Sequence, residues 1–286
     1  MFSKLMPVTY SLHKVNSSDA FSFNPDEYSR FKFGDEAVAR SFGVDLANGF
    51  IAHHLSQDPV HQQIVVISSP YSFIPTATSA MKNYFIFQLN RWLAENGFPV
   101  VQETKVHRTV TYKEDYGELN AEQRINLIGN DLFHIDKAFL TNKTLLFLDD
   151  IKITGSHEKM IMKMAKEYDL QNAVYMLYFA ELIDKTIHPN IENYLNYHQV
   201  KSILDLDKII KSGNFAINTR IVKYILISDF SNFQEFILNQ TEDFISYLYD
   251  MALGNNYHTI EAYSSNLNFI KEQLLTSNLK LVQNGN

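Results

Sequence analysis

From residue 35 onward apolar side chains recur every fourth position, Val38, Phe42, Leu46 and Phe50, and Asp35 stands where an N-cap belongs, so a helix over 35–54 is predicted. Ahead of it, residues 21–33 are rich in aromatics, lack helical spacing and alternate apolar with charged side chains toward their end. Ile64-Val65-Val66-Ile67 is a short unbroken apolar run, the pattern of a strand buried on both faces. Ser68-Ser69-Pro70-Tyr71 then turns toward a helix over 76–96, which Gly97 closes. Residues 98–110 alternate in part and predict one or two strands, 111–120 reads as a polar loop, and 121–133 is helical. A strand over 143–149, a helix over 156–168 with Met160, Met164 and Ala165 as its apolar stripe, and a strand over 173–180 follow. This alternation implies an α/β fold, a doubly wound and mostly parallel sheet with its crevice at the carboxyl ends of the strands. Beyond 181 the spacing is helical, over 188–197, 200–211, 218–227 and 230–251, and predicts a C-terminal helical cap; residues 282–286 read as a loose tail.

Composition narrows the classes. The chain has 286 residues with 32 acidic and 25 basic side chains, a formal charge of −7, and so lacks the basic stripe of a nucleic-acid binder. A hydrophobic fraction of 45% and an aromatic fraction of 13% supply a sizeable core. Cys is absent, which removes disulfide and thiolate chemistry. No long apolar run predicts a membrane span or a leader, so a cytoplasmic protein is expected, and a homodimer stays open.

The chemistry concentrates in Leu145-Leu146-Phe147-Leu148-Asp149-Asp150-Ile151-Lys152-Ile153-Thr154-Gly155-Ser156-His157-Glu158. Two carboxylates cannot stay unpaired inside a buried strand, so they are expected to emerge at its C-terminal end. Thr154-Gly155-Ser156 adds hydroxyls, a backbone that can approach a ligand closely, and the first unpartnered amides of a helix, a cradle for an anion. Acids beside an anion cradle suit a sugar phosphate. Two other acid motifs fail: Ile151 occupies the second position of an Asp-x-Asp phosphatase motif, and Ile161 the second His of a His-Glu-x-x-His zinc motif. The plain structural alternative is a buried strand whose acids cap the next helix.

Residues 145–156 resemble the 5-phosphoribosyl 1-pyrophosphate (PRPP) signature of type I phosphoribosyltransferases: four apolar residues, two acids, an apolar residue, two variable positions, Thr-Gly and small or hydroxyl residues. At the last position, usually Thr or Ser, stands His157. Tyr28-Ser-Arg-Phe-Lys-Phe-Gly-Asp, with Ala39-Arg40 and Phe42-Gly43, is similar to the N-terminal region of a bacterial phosphoribosyltransferase-like family found beside tellurium-resistance and stress genes. The resemblance implies that Asp149 and Asp150 hold the ribose hydroxyls and, through ribose and water, a Mg2+ ion, while Ile151, Lys152, Ile153, Thr154, Gly155, Ser156 and His157 form the 5-phosphate loop. It also implies a pyrophosphate loop at Ser68, Ser69, Pro70 and Tyr71, without the usual glycines, and a lid over 108–122 whose Arg108 and Lys113 reach pyrophosphate, with Arg124 a weaker candidate. Arg30, Lys32 and Arg220 are candidate substrate contacts, as is the 261–263 segment; Arg30 and Lys32 serve equally well as partners of Asp35 and Glu36. The implied organisation is an N-terminal segment 1–60, a PRPP-binding core 61–182 and a helical specificity cap 183–286. The expected activity is phosphoribosyl transfer to or from an unidentified base or other small acceptor; the alternative is a non-catalytic sensor that keeps the fold and binds PRPP or a nucleotide.

Overall fold

The computed structural model describes residues 7–105, 107–108 and 133–284. Its main sheet holds five parallel strands in the order β1 (Val8–Val15), β7 (Val174–Leu182), β6 (Thr144–Lys152), β2 (Ile64–Ser68) and β3 (Gln102–Glu103). β4 (His107–Arg108) and β5 (Phe133–His134) form a separate antiparallel pair. The alternating apolar residues of β6 feed two cores. Leu146 and Leu148 join the side covered by α1 (Pro25–Lys32), α2 (Glu36–Phe50) and α3 (Ala77–Glu95); Leu145 and Phe147 join the side covered by α4 (Lys137–Leu140) and α5 (Ser156–Glu167). The sheet is therefore buried on both faces, as its apolar runs require.

Chain order sets where a ligand can sit. From β2 the chain passes through α3 on one face to β3; from β6 it passes through α5 on the other face to β7. The direction of winding reverses between the adjacent strands β2 and β6, so a crevice opens beyond their carboxyl ends. Ser68 and Ser69 leave β2 there, and Asp149 to Ser156 leave β6 there.

The helical half comprises α6 (Ile191–Asn196), a 3-10 turn (Ile203–Asp205) and α7 (Leu206–Ile210), then α8 (Thr219–Ile227), α9 (Phe230–Leu238), α10 (Glu242–Gly254) and α11 (Glu261–Asn284). Residues 200–270 pack a core of their own, into which Phe33 and Ile74 reach from the sheet side. Two backbone hydrogen bonds, Glu36 N–H to Asn214 O at 2.9 Å and Ala216 N–H to Gly34 O at 2.9 Å, fix the α1–α2 turn against this half. No helix among the described residues is long and apolar enough to cross a membrane.

Several elements differ from the sequence reading. Residues 21–33 are not irregular: Asn24 accepts from the Asp26 amide, Pro25 opens α1, and Tyr28, Phe31 and Lys32 turn inward. β1 is an edge strand that the half-exposed sequence Val8–Val15 did not signal. The helix over 35–54 ends as an α-helix at Phe50 and continues as a π turn to Leu55, where Tyr10 packs against His53 and His54. Residues 230–251 are two helices, because Thr241 accepts from the Phe244 amide and starts a new one. Phe133 lies in β5 rather than at the end of a helix, and 121–132 lies outside the described residues. α11 runs through 282–284, which the sequence reading left as tail.

Candidate functional site

β6 runs on through both acids to Lys152 instead of ending at Asp149. Because side chains alternate along a strand, Asp149 continues the Phe147 side toward α5 while Asp150 continues the Leu148 side toward α1. The two carboxylates therefore have different environments.

Asp149 sits in the crevice. Its Oδ1 accepts from the Ser69 hydroxyl at 2.7 Å, from the Asp150 amide at 3.0 Å and from the Thr78 hydroxyl at 3.4 Å, and its Oδ2 from His157 Nδ1 at 2.6 Å. Burial works to raise the Asp149 carboxyl, but the adjacent His157 charge, with hydrogen bonds from His157, Ser69 and Asp150, holds it well below the usual carboxylate range. Ser68, Ser69, Pro70, Asp149, His157 and Tyr178 line a small cavity of about 30 Å³ floored by apolar side chains of β6 and α5. That space takes a water or two. Burial and the charges of Asp149, Glu158 and Glu181 keep the Tyr178 hydroxyl protonated.

Asp150 is 6% exposed and does not line that cavity. Its Oδ2 accepts from the Tyr28 hydroxyl at 2.6 Å and from the Lys32 ammonium, and its Oδ1 from the Thr78 hydroxyl at 3.2 Å. Burial, then the charges of Asp150 and Glu192, hold the Tyr28 hydroxyl far above its ordinary value. Asp150 thus takes its donors from α1 and α3, and the Thr78 hydroxyl also lies 3.4 Å from Asp149 Oδ1. Lys32, named as a substrate contact, is 8% exposed and committed to Asp150. Neither Tyr28 nor Thr78 is among the site residues that the sequence suggests. Tyr28 and Lys32 lie four residues apart, and a helical reading of 25–32 would have put them on one face.

The loop after β6 presents backbone amides and hydroxyls at the start of α5. Gly155 has φ +72° and ψ +17°, a left-handed conformation that side-chain-bearing residues avoid, and it turns the chain into α5 without a side-chain cap. Among the described residues the amides of Thr154, Gly155 and Ser156 have no acceptor, and the Thr154 and Ser156 hydroxyls are 2.7 Å apart. Ile151 and Ile153 are 8% and 4% exposed and belong to the core, so only their backbone is available. Lys152 turns to Glu158 at 2.6 Å and Glu181 at 3.2 Å; burial acts to lower its affinity for protons, but these carboxylates outweigh it and raise it. Across the crevice the Tyr71 ring lies 3.8 Å from the Lys105 ammonium, which donates to Ser72 O at 2.6 Å.

Arg30 pairs with Glu27 at 3.8 Å and Asp35 at 3.7 Å. Arg220, on α8, lies 5.7 Å from the Tyr197 ring, and its charge acts on Tyr28 beside Asp150. Tyr263 is 1% exposed and part of the helical core rather than a pocket wall. Arg108 is described only by its backbone, paired in β4, while Lys113 and Arg124 lie outside the described residues.

The residues present do not fit a protein-held Mg2+ ion. Among the described residues no three His, Cys, Asp or Glu side chains converge as a metal cage. Asp150 already carries the Lys32 ammonium and Asp149 the His157 imidazole, so neither offers a free carboxylate edge to a hard cation.

Among solved structures the chain is similar to a hypoxanthine phosphoribosyltransferase from Staphylococcus aureus, at 12% identity and a TM-score of 0.33 over 51% of this chain and 75% of that one. It is similar to the L. donovani hypoxanthine-guanine phosphoribosyl transferase at 12% identity and a TM-score of 0.31, over 52% and 70%. For a mutant of the Trypanosoma cruzi hypoxanthine phosphoribosyltransferase, complexed with the product IMP, the values are 13%, 0.30, 53% and 79%. No curated protein matches significantly. A family model matches residues 6–270, from the edge strand through the helical half, and the chain belongs to that family, PRTase ComF-like.

Proposed function

We propose that the protein binds PRPP across the crevice between β2 and β6 and transfers the phosphoribosyl group to or from a small acceptor. The observation that carries this reading is the run of acceptor-free amides at Thr154, Gly155 and Ser156 directly after Asp149, at the point where the sheet reverses its winding. The 5-phosphate takes those amides and the two hydroxyls. Asp149 takes a ribose hydroxyl in exchange for Ser69, and its charge steadies the positive sugar that forms as the bond from C1 to pyrophosphate breaks. The Ser68 to Tyr71 turn faces the leaving group, and Arg108 and Lys113 are its proposed cations. Residues 183–286 act as the cap that selects the acceptor.

A second reading, a sensor that binds PRPP or a nucleotide without turnover, is favoured by Asp150, whose oxygens Lys32, Tyr28 and Thr78 already occupy. Thermal unfolding with PRPP, nucleotides and free bases tests binding. A ligand at about 100 times its Kd stabilises by about 2.7 kcal/mol, and the shift grows with concentration. Pyrophosphate release from PRPP in the presence of an acceptor supports the transferase, and stabilisation without release supports the sensor. If no phosphorylated pentose or nucleotide raises the melting temperature, both readings fail.

A further inference from the structure

We propose that Lys32 is a built-in replacement for a divalent cation at the signature carboxylates: its ammonium neutralises Asp150 from within the chain, and the site binds phosphorylated ribose without a metal of its own. The inference rests on the ribose-phosphate reading only for its ligand arm.

The geometry assigns this place to Lys32 through three neighbours. Lys32 and Tyr28, one helical turn apart on α1, both donate to Asp150 Oδ2, while Thr78 at the start of α3 donates to Oδ1. The Lys32 and Asp150 side chains are 10% and 8% exposed, so water cannot substitute for either. A carboxylate has about four acceptor positions. Asp150 fills three of them, and Asp149 fills four with Ser69, Thr78, His157 and the Asp150 amide. Charge points the same way. Asp150 brings one negative charge and Lys32 one positive, so that buried pair balances with no added ion, and His157 Nδ1 lies 2.6 Å from the Asp149 carboxylate. A dication set among these groups would meet a buried ammonium bonded to the oxygen it needs.

The position of Lys32 is held from the cap side as well. Its carbonyl accepts from Asn218 Nδ2 at 3.2 Å, and the Asn218 Oδ1 caps α8 by accepting from the Ile221 amide at 3.1 Å. The ammonium is thus anchored between the signature strand and the start of a cap helix. Lys32 is a positioning residue: it reaches any ligand only through Asp150.

The test has two arms. Mn2+ alone is titrated into wild-type protein and into Lys32→Met, with water-proton relaxation or electron paramagnetic resonance as the readout. Wild type is expected to bind no tighter than millimolar, and Lys32→Met, with Asp150 uncovered, at least about tenfold tighter. In the second arm ribose 5-phosphate, which lacks a diphosphate and so brings no metal, is titrated calorimetrically into wild type with EDTA or with Mg2+. Its affinity is expected to change by less than about twofold, against tenfold or more for a site whose metal is held by carboxylates.

Submillimolar Mn2+ binding by wild type that Asp150→Asn abolishes overturns the proposal, and so does ribose 5-phosphate binding that needs Mg2+. If ribose 5-phosphate does not bind under any condition, the functional reading fails while the Mn2+ arm still decides the role of Lys32. If Lys32→Met does not fold, the wild-type titrations decide alone.

Discussion

Replacing Lys32 by Met removes a charge and leaves most of the stem, so the perturbation isolates the ion pair from the packing around it. In wild type the Lys32 and Asp150 side chains are 10% and 8% exposed, and each is the other's opposite charge. Deleting one member of a buried pair strands the second charge, at a typical cost of about 3–5 kcal/mol. Tyr28 and Thr78 continue to donate to Asp150, which sets the expectation toward the lower end, about 3 kcal/mol. For a chain this long, each kcal/mol moves the melting temperature by about 2–4 °C, so a fall of about 6–12 °C is expected. The assay is urea unfolding of wild type, Lys32→Met, Asp150→Asn and the double variant, read as a cycle. The double variant should recover at least about half of the Lys32→Met loss, because a neutral amide in that place no longer carries an unpaired charge. A Lys32→Met cost below about 1 kcal/mol, the range of exposed pairs, refutes the burial argument. A double variant no more stable than Lys32→Met refutes the assignment of Asp150 as the partner.

Two further outcomes follow from the same structure. The folded Asp149 carboxyl lies below its unfolded value, so its contribution is present above about pH 4 and is lost as pH falls toward the folded value. The stability advantage of wild type over Asp149→Asn in urea should therefore shrink between about pH 5 and about pH 3, and a constant difference would contradict the pairing with His157. At Gly43 an added methyl would lie 2.3 Å from Met81 O and 2.9 Å from Phe85 N, so Gly43→Ala must part α2 from α3 at about 3 kcal/mol. At Gly97, with φ +75° and nothing within reach of a methyl, Gly97→Ala should cost only about 1 kcal/mol, and equal losses at the two sites would refute the close approach of the helices.

The apolar runs at Ile64–Ile67, Leu145–Leu148 and Val174–Ala180 made the central strands legible, since an unbroken run of that length must be buried on both faces. Asp35 with Val38, Phe42, Leu46 and Phe50 fixed α2 in the same way. Local chemistry also located the turn into α5, because Thr154-Gly155-Ser156 needs only a glycine that accepts positive φ and a helix start. The edge strand β1 and the helix α1 escaped, since their inward faces are defined by neighbours distant in sequence: Ser11 meets Glu181, and Tyr28 and Lys32 meet Asp150.

Only the tertiary structure decided what the two acids do. Adjacent letters in a sequence suggest a shared task. A strand that continues through them sends them to opposite sides, so Asp149 reached the crevice and His157 while Asp150 was taken by α1. Residue types and spacing specify periodicity and local capping, but which charge neutralises which is settled by the elements that a fold packs side by side.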